Sequence, residues 1–116
     1  MKRHLQLSIK QLSGFYADGS ISPRTVVDHS LDDATKLKRL NAFIRLSPEK
    51  ALHQAKESDH RYENKEQLGV LDGVPIAIKD NFCTKELTTT CAECFQILYH
   101  LLMQRFVNVW QMPVLY

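Results

Sequence analysis

Leu71-Asp72-Gly73-Val74-Pro75-Ile76-Ala77-Ile78-Lys79-Asp80-Asn81 reads as a turn, then an apolar strand, then a lysine where the strand runs out. Asp72-Gly73 signals the turn, because glycine accepts backbone angles that other residues avoid. Pro75 has no N–H to give to a sheet, so it belongs among a strand's first residues or on an edge. Alternation then sends Val74, Ile76 and Ile78 to one face and Pro75, Ala77 and Lys79 to the other. Small Ala77 leaves room beside the lysine. A lysine held in a dry pocket loses proton affinity and can act as a base near neutral pH. Catalytic groups of α/β folds gather at the carboxyl ends of strands, where Lys79 falls. By spacing alone, however, a lone lysine after an apolar run is usually a solvated strand end.

Upstream of this stretch the chain reads helical. Ser8 and Gln11 have capping-box spacing, and Leu5, Ile9, Leu12 and Tyr16 recur on one helical face. Asp18-Gly19 stops that helix. Ser22-Pro23 gives an N-cap followed by proline at the first helical position, and Val27, Leu31, Ala34 and Leu37 form the second helix's apolar stripe. Residues 40–46 are short and apolar, a strand or an extended crossing. Ser47-Pro48-Glu49 repeats the serine–proline start and opens a polar third helix over residues 48–64. Its apolar face is narrow (Ala51, Leu52, Ala55), which predicts a helix lying on the surface. Residues 63–68 read as a charged linker into the strand, and the charge run over residues 56–66 as an exposed face.

The whole chain has 116 residues, enough for one domain with a core of modest size. Its 44% hydrophobic and 24% charged content is that of a soluble globular protein. A formal charge of +2 is too small to argue for nucleic-acid binding, and no basic run is interleaved with aromatics. Three cysteines without a secretory leader predict reduced thiols inside a cell. Residues 94–116 are apolar but interrupted by His100, Arg105 and Asn108, so they do not read as a membrane span.

Other chemistry-bearing residues are sparse. Cys91-x-x-Cys94 has the spacing of half a zinc site, but no second pair follows, so no metal site is predicted. Cys83 reads as a buried strand-end thiol. His4, His29, His53, His60 and His100 show neither metal-ligand nor triad spacing, and His53 and His60 fall on the polar helix. No glycine-rich phosphate loop is present, so any use of ATP would belong to a partner protein.

The motif Leu71-x-Gly73-x-Pro75-x-x-x-Lys79-Asp80 resembles the lysine motif of the amidase signature family. The continuation Asp80-Asn81-Phe82-Cys83-Thr84-Lys85, followed by Thr89-Thr90-Cys91-Ala92, looks like one branch, the A subunits of glutamyl-tRNA(Gln) amidotransferases. Leu40-Asn41-Ala42-Phe43-Ile44 and residues 51–59 are similar to the amino-terminal region of that branch, so the resemblance covers about residues 5–92. It implies an α/β fold, the amidase-signature mixed sheet covered by helices, of which this chain would hold the mainly helical N-terminal part and about one core strand. It also implies amide hydrolysis by a Ser–cis-Ser–Lys triad, with Lys79 as general base and Leu71, Gly73, Pro75, Asp80 and Asn81 as structural members of the motif. Substrate-binding residues are not assigned. The parent would hydrolyse glutamine and pass ammonia to Glu-tRNA(Gln), with the B and C subunits as partners, ATP and magnesium used by one of those partners, and no membrane. A general amidase of the same family is the competing reading, and a non-catalytic fragment that binds the other subunits is another.

The resemblance stops at Ala92, and codons permitted for residues 92–116 explain why. Read in another frame they spell a continuation similar to the family's, and Met103-Gln104, Trp110-Gln111 and Met112-Pro113 each force an alanine codon where that pattern has one. The expected division is therefore residues 1–92, the N-terminal part of an amidase domain, and residues 93–116, an off-frame tail produced by an alternative splice junction or a gene-model error. After Lys79 the chain has no serine and no glycine, and its only hydroxyls besides tyrosine are Thr84, Thr88, Thr89 and Thr90. A base without its nucleophile is not an active site, so the chain alone is expected to be inactive. Lys2, Arg3 and Lys10 without an acid give the start a mild presequence character. That stretch also supplies the first family-like helix, which leaves little to cleave. Splice-type frame shifting suggests a eukaryotic gene, and for such a gene the resemblance implies an organelle, the mitochondrial matrix, with a bacterial cytoplasm as the alternative.

Overall fold

The computed structural model describes residues 6–80 and a short strand at Val114–Leu115. Three helices, α1 (Ile9–Ala17), α2 (Pro23–Lys36) and α3 (Pro48–Glu63), precede a two-residue strand β1 (Ile76–Ala77), and Val114–Leu115 forms β2.

The helix ends follow local chemistry. The Ser8 hydroxyl accepts from the Gln11 amide at 3.3 Å, and the Ser8 amide donates to Gln11 Oε1 at 2.9 Å, closing the capping box that the spacing predicts. Asp18 ends α1, and Gly19 at φ 73° turns the chain back. The Ser22 hydroxyl accepts from the Thr25 amide at 3.1 Å, with Pro23 in the first turn of α2. The analogy breaks at α3. Ser47 precedes Pro48 there, but its ψ of 72° leaves its side chain without a capping hydrogen bond.

Adjacent residues of α2 face two apolar clusters. Val27 and Leu31 pack with Ala51 and Ala55 of α3, with Phe43 and Leu52 at the margin. Val26 packs with Leu12 and Tyr16 of α1 and with Val74, beside Leu7, Ile21 and Tyr62. Each buried valine or leucine contributes about 1.5–3 kcal/mol relative to exposure. Tyr16 and Tyr62 meet edge to face, 5.6 Å between ring centroids.

Three expectations are corrected and a fourth is refined. The apolar stripe of α2 includes Val26 and Ser30, while Leu37 is exposed. The narrow face of α3 is not superficial, because Ala51 and Ala55 are fully buried and their small side chains let the helix sit close on α2. Residues 40–46 form no strand. A 3₁₀ turn over Lys38–Leu40 ends at Asn41 in the left-handed region (φ 50°), and Leu40 and Ile44 are exposed. Residues 63–68 are the exposed, charged linker that the sequence predicts, and local hydrogen bonds hold it. Lys65 is left-handed (φ 59°), Glu66 N–H donates to Arg61 O at 2.7 Å, and Leu68 N–H is held by Asp72 at 3.1 Å.

Strand β1 pairs in parallel with β2, in the register Ile76 to Val114 and Ala77 to Leu115. It is shorter than the apolar run around it. Val74 is buried, Ile76 and Ile78 are half-buried, and Ala77 and Lys79 are exposed, which is the expected alternation.

Candidate functional site

The lysine segment is fastened to the helices through its opening turn. Asp72 has a fully buried carboxylate. Arg61 approaches it with a fork: Nε donates to Oδ2 at 2.8 Å and Nη2 to Oδ1 at 2.6 Å. The Ser58 hydroxyl donates to Oδ1 at 2.8 Å, and the Leu68 amide to Oδ2 at 3.1 Å. The adjoining carbonyls are held as well. Tyr62 Oη donates to Asp72 O at 3.2 Å and Tyr16 Oη to Gly73 O at 3.3 Å. The turn closes internally, with Asp72 N–H donating to Gly69 O and Val74 N–H to Leu71 O.

Gly73 occupies a position that no other residue fits. Its φ is +76°, and a Cβ there would stand 2.7 Å from Cγ and 2.9 Å from Cβ of Pro23. The glycine of the motif is therefore the point where the turn touches the first turn of α2.

Electrostatics follow the same geometry. Burial pushes the Asp72 carboxyl up, but hydrogen bonds from Arg61, the Leu68 amide and Ser58 outweigh it and hold it below the ordinary carboxylate value. The hydrogen bond to Asp72 raises Arg61 despite burial. Burial pushes up Tyr16, with Tyr62 and Asp59 adding to it, and burial also raises Tyr62, so both tyrosines stay protonated donors. Asp59 is raised by burial, against the Arg24 amide that donates to it at 3.3 Å.

Lys79 lies two residues past β1 and is exposed. Leu71, Gly73 and Pro75 lie in and just after the clasped turn, and Asp80 is half-buried beside the lysine. Asn81, Cys83, Cys91, Cys94, Leu5, His4 and His100 lie outside the described residues. His53 and His60 are exposed on α3, 3.9 Å from Glu57 and 3.4 Å from Glu63. Among the described residues no group of three His, Cys, Asp or Glu could hold a metal, and no helix is long and apolar enough to cross a membrane.

The partners of Asp72 escape a reading of the sequence. Ser58 and Arg61 fall inside the charge run of α3, yet both turn inward. The available signal is spacing. Ser58 continues the row Ala51, Ala55 at the next turn, and a small residue there extends a buried face.

Comparison with known proteins bears on the same residues. The family model described as Amidase matches residues 25–99. A relative from Drosophila pseudoobscura pseudoobscura, named as the A subunit of mitochondrial glutamyl-tRNA(Gln) amidotransferase, is 59% identical over 92 residues, 79% of this chain and 18% of its own length. Proteins of the same name from Aedes aegypti and Homo sapiens are 49% identical over 92 residues and 47% over 85, covering 79% and 73% of this chain and 19% and 16% of their own lengths. The chain thus spans less than a fifth of these relatives. With the family model matching well over half its residues, lysine motif included, the chain belongs to the amidase family.

Proposed function

We propose that this chain is the amino-terminal part of a glutamine-hydrolysing subunit that supplies ammonia to convert Glu-tRNA(Gln) to Gln-tRNA(Gln) in mitochondrial translation. The observation that carries this reading is the 59% identity over 92 residues with a relative named as the A subunit of that amidotransferase. In the full-length protein the helices and β1 would be the mainly helical N-terminal part and about one core strand of the amidase-signature fold, a mixed sheet covered by helices. Residues 1–92 would belong to it, and residues 93–116 would be an off-frame tail. The B and C subunits would be the partners, and the mitochondrial matrix the location, in keeping with the relatives' names.

The chemistry assigned to this chain is one proton transfer. Lys79 would take a proton, through a bridging serine, from the serine that attacks the amide carbon. It can do so only when later parts of the full-length protein wall it off from water, because here it is exposed. Neither serine follows Lys79 in these 116 residues, nor does a glycine-rich loop whose amides would stabilise the oxyanion. Losing one such donor costs about 10²–10³ in rate, and losing the nucleophile removes the reaction. The chain alone is therefore inactive. ATP and magnesium belong with a partner protein of the complex. No phosphate-binding glycine loop occurs in the sequence.

A general amidase is the second reading, favoured by the breadth of the matching family model. The third is a non-catalytic fragment that binds the other subunits, favoured by the absence of the serines. Ammonia release by the full-length protein with its partner subunits, on glutamine against simple amides, separates the first two. Preference for glutamine, abolished by Lys79→Ala, is expected; equal turnover of simple amides overturns the amidotransferase reading. Failure of the 116-residue chain to co-purify with the other subunits counts against the third.

A further inference from the structure

The route from helices to lysine passes through one turn. From Asp72 to Lys79 is seven residues, and β1 contributes only two residues of sheet pairing within that stretch. An extended chain advances about 3.3 Å per residue, so a pivot of about 10° at the turn carries the lysine about 4 Å. A misplacement of about 1 Å at a reacting group can cost about 10²-fold in rate. Among the described residues the turn is therefore the main constraint on the segment's direction.

The turn is built to set it. Its carboxylate takes four hydrogen bonds from three points on the chain: Ser58, both nitrogens of the Arg61 fork, and the Leu68 amide. Two tyrosines hold the next two carbonyls, and Gly73 is wedged against Pro23. Stability alone would not require this. A buried ion pair is often matched or bettered by apolar residues of the same volume. What an apolar contact lacks is angular definition, which a two-point guanidinium–carboxylate fork supplies.

We propose that Arg61 and Asp72 are positioning residues for Lys79, fixing the angle at which the lysine segment leaves the helices. The inference rests on the reading of Lys79 as the proton acceptor of the full-length enzyme. Neither residue touches substrate; both act through the turn.

The test uses the full-length protein assembled with its partner subunits, as wild type, Arg61→Ala, Arg61→Lys and Asp72→Asn. Amide hydrogen exchange is followed in peptides spanning residues 74–80 and, separately, in those spanning α1 to α3. Ammonia release from glutamine is measured on the same samples. The expected result is a rise in exchange at residues 74–80 well beyond the rise that the lower global stability gives across α1 to α3, with kcat reduced about 10²-fold and KM nearly unchanged. Arg61→Lys, which keeps the charge but not the fork, falls between wild type and Arg61→Ala. Unchanged exchange at residues 74–80 overturns the inference, and so does an unchanged kcat once that segment has loosened. Loss of protection across the helices as large as that in the segment would make the pair a general stabiliser and also overturn it. A wild-type complex that releases no ammonia from glutamine sinks the functional reading instead, while the exchange experiment still decides whether the pair holds the segment.

Discussion

Asp72 carries more of the structure than its neighbours in the turn. Removing its carboxylate takes the acceptor from the Ser58 hydroxyl and the Leu68 amide and the counter-charge from the Arg61 fork. Breaking a buried ion pair from one side costs about 3–5 kcal/mol. Asp72→Ala is expected to lower unfolding free energy by that amount, read as a fall in the urea midpoint with an unchanged slope. The pH dependence has a definite sign. The folded carboxyl sits below its unfolded value, near 3.9, so its contribution is complete above that value. It then declines as pH falls through the window below, and is gone under the folded value. Asp72→Asn should flatten that acid limb in stability curves measured from pH 7 downward. Asp59 works the other way. Burial raises it, so its contribution is full in acid and is lost as pH rises through the folded value. Gly73→Ala meets Pro23 at 2.7 Å in a left-handed backbone and should cost at least about 1–3 kcal/mol by the same denaturation assay. The glycine's role was legible, because Asp-Gly names a turn. The aspartate's was not, because its partners are 11 and 14 residues away on a helix whose charges look solvent-facing.

Among helices and strands, sequence reads best where the cause is local. The capping box of α1 and the serine–proline start of α2 involve residues three apart, and both appear in the structure. Ser47-Pro48 shows the limit of that rule, since the same pair opens α3 without the side-chain bond. Residues 40–46 look like a strand by composition, but a strand needs a neighbour to take its hydrogen bonds. Here the chain instead closes a 3₁₀ turn and leaves Leu40 and Ile44 exposed. The narrow face of α3 misled in the opposite direction, because alanine signals a weak apolar surface and equally a close approach. Ala55→Leu tests the close approach. Inserting that bulk against Val27 and Leu31 should destabilise the fold by about 1–3 kcal/mol, seen as a lower thermal midpoint. A purely superficial helix would tolerate it within about 0.5 kcal/mol.

Taken together, the chain carries the lysine motif within the stretch that matches the amidase family, set on a helical base. The turn, the proline and the alternating run are legible because they occupy consecutive residues, whereas the lysine motif is legible only through its resemblance to the family's pattern. The dry surroundings that a lysine base requires were not visible, because they arise from chain far from it; in this structure Lys79 is exposed. On the proposed reading Lys79 is the proton acceptor, and no serine follows it in these 116 residues. Ammonia release from saturating glutamine by the purified chain, run beside the full-length protein with its partner subunits, tests this at once. Turnover is expected from the complete assembly, and none above buffer from the short chain. Glutamine-dependent ammonia from the short chain alone would mean that the nucleophile is here after all.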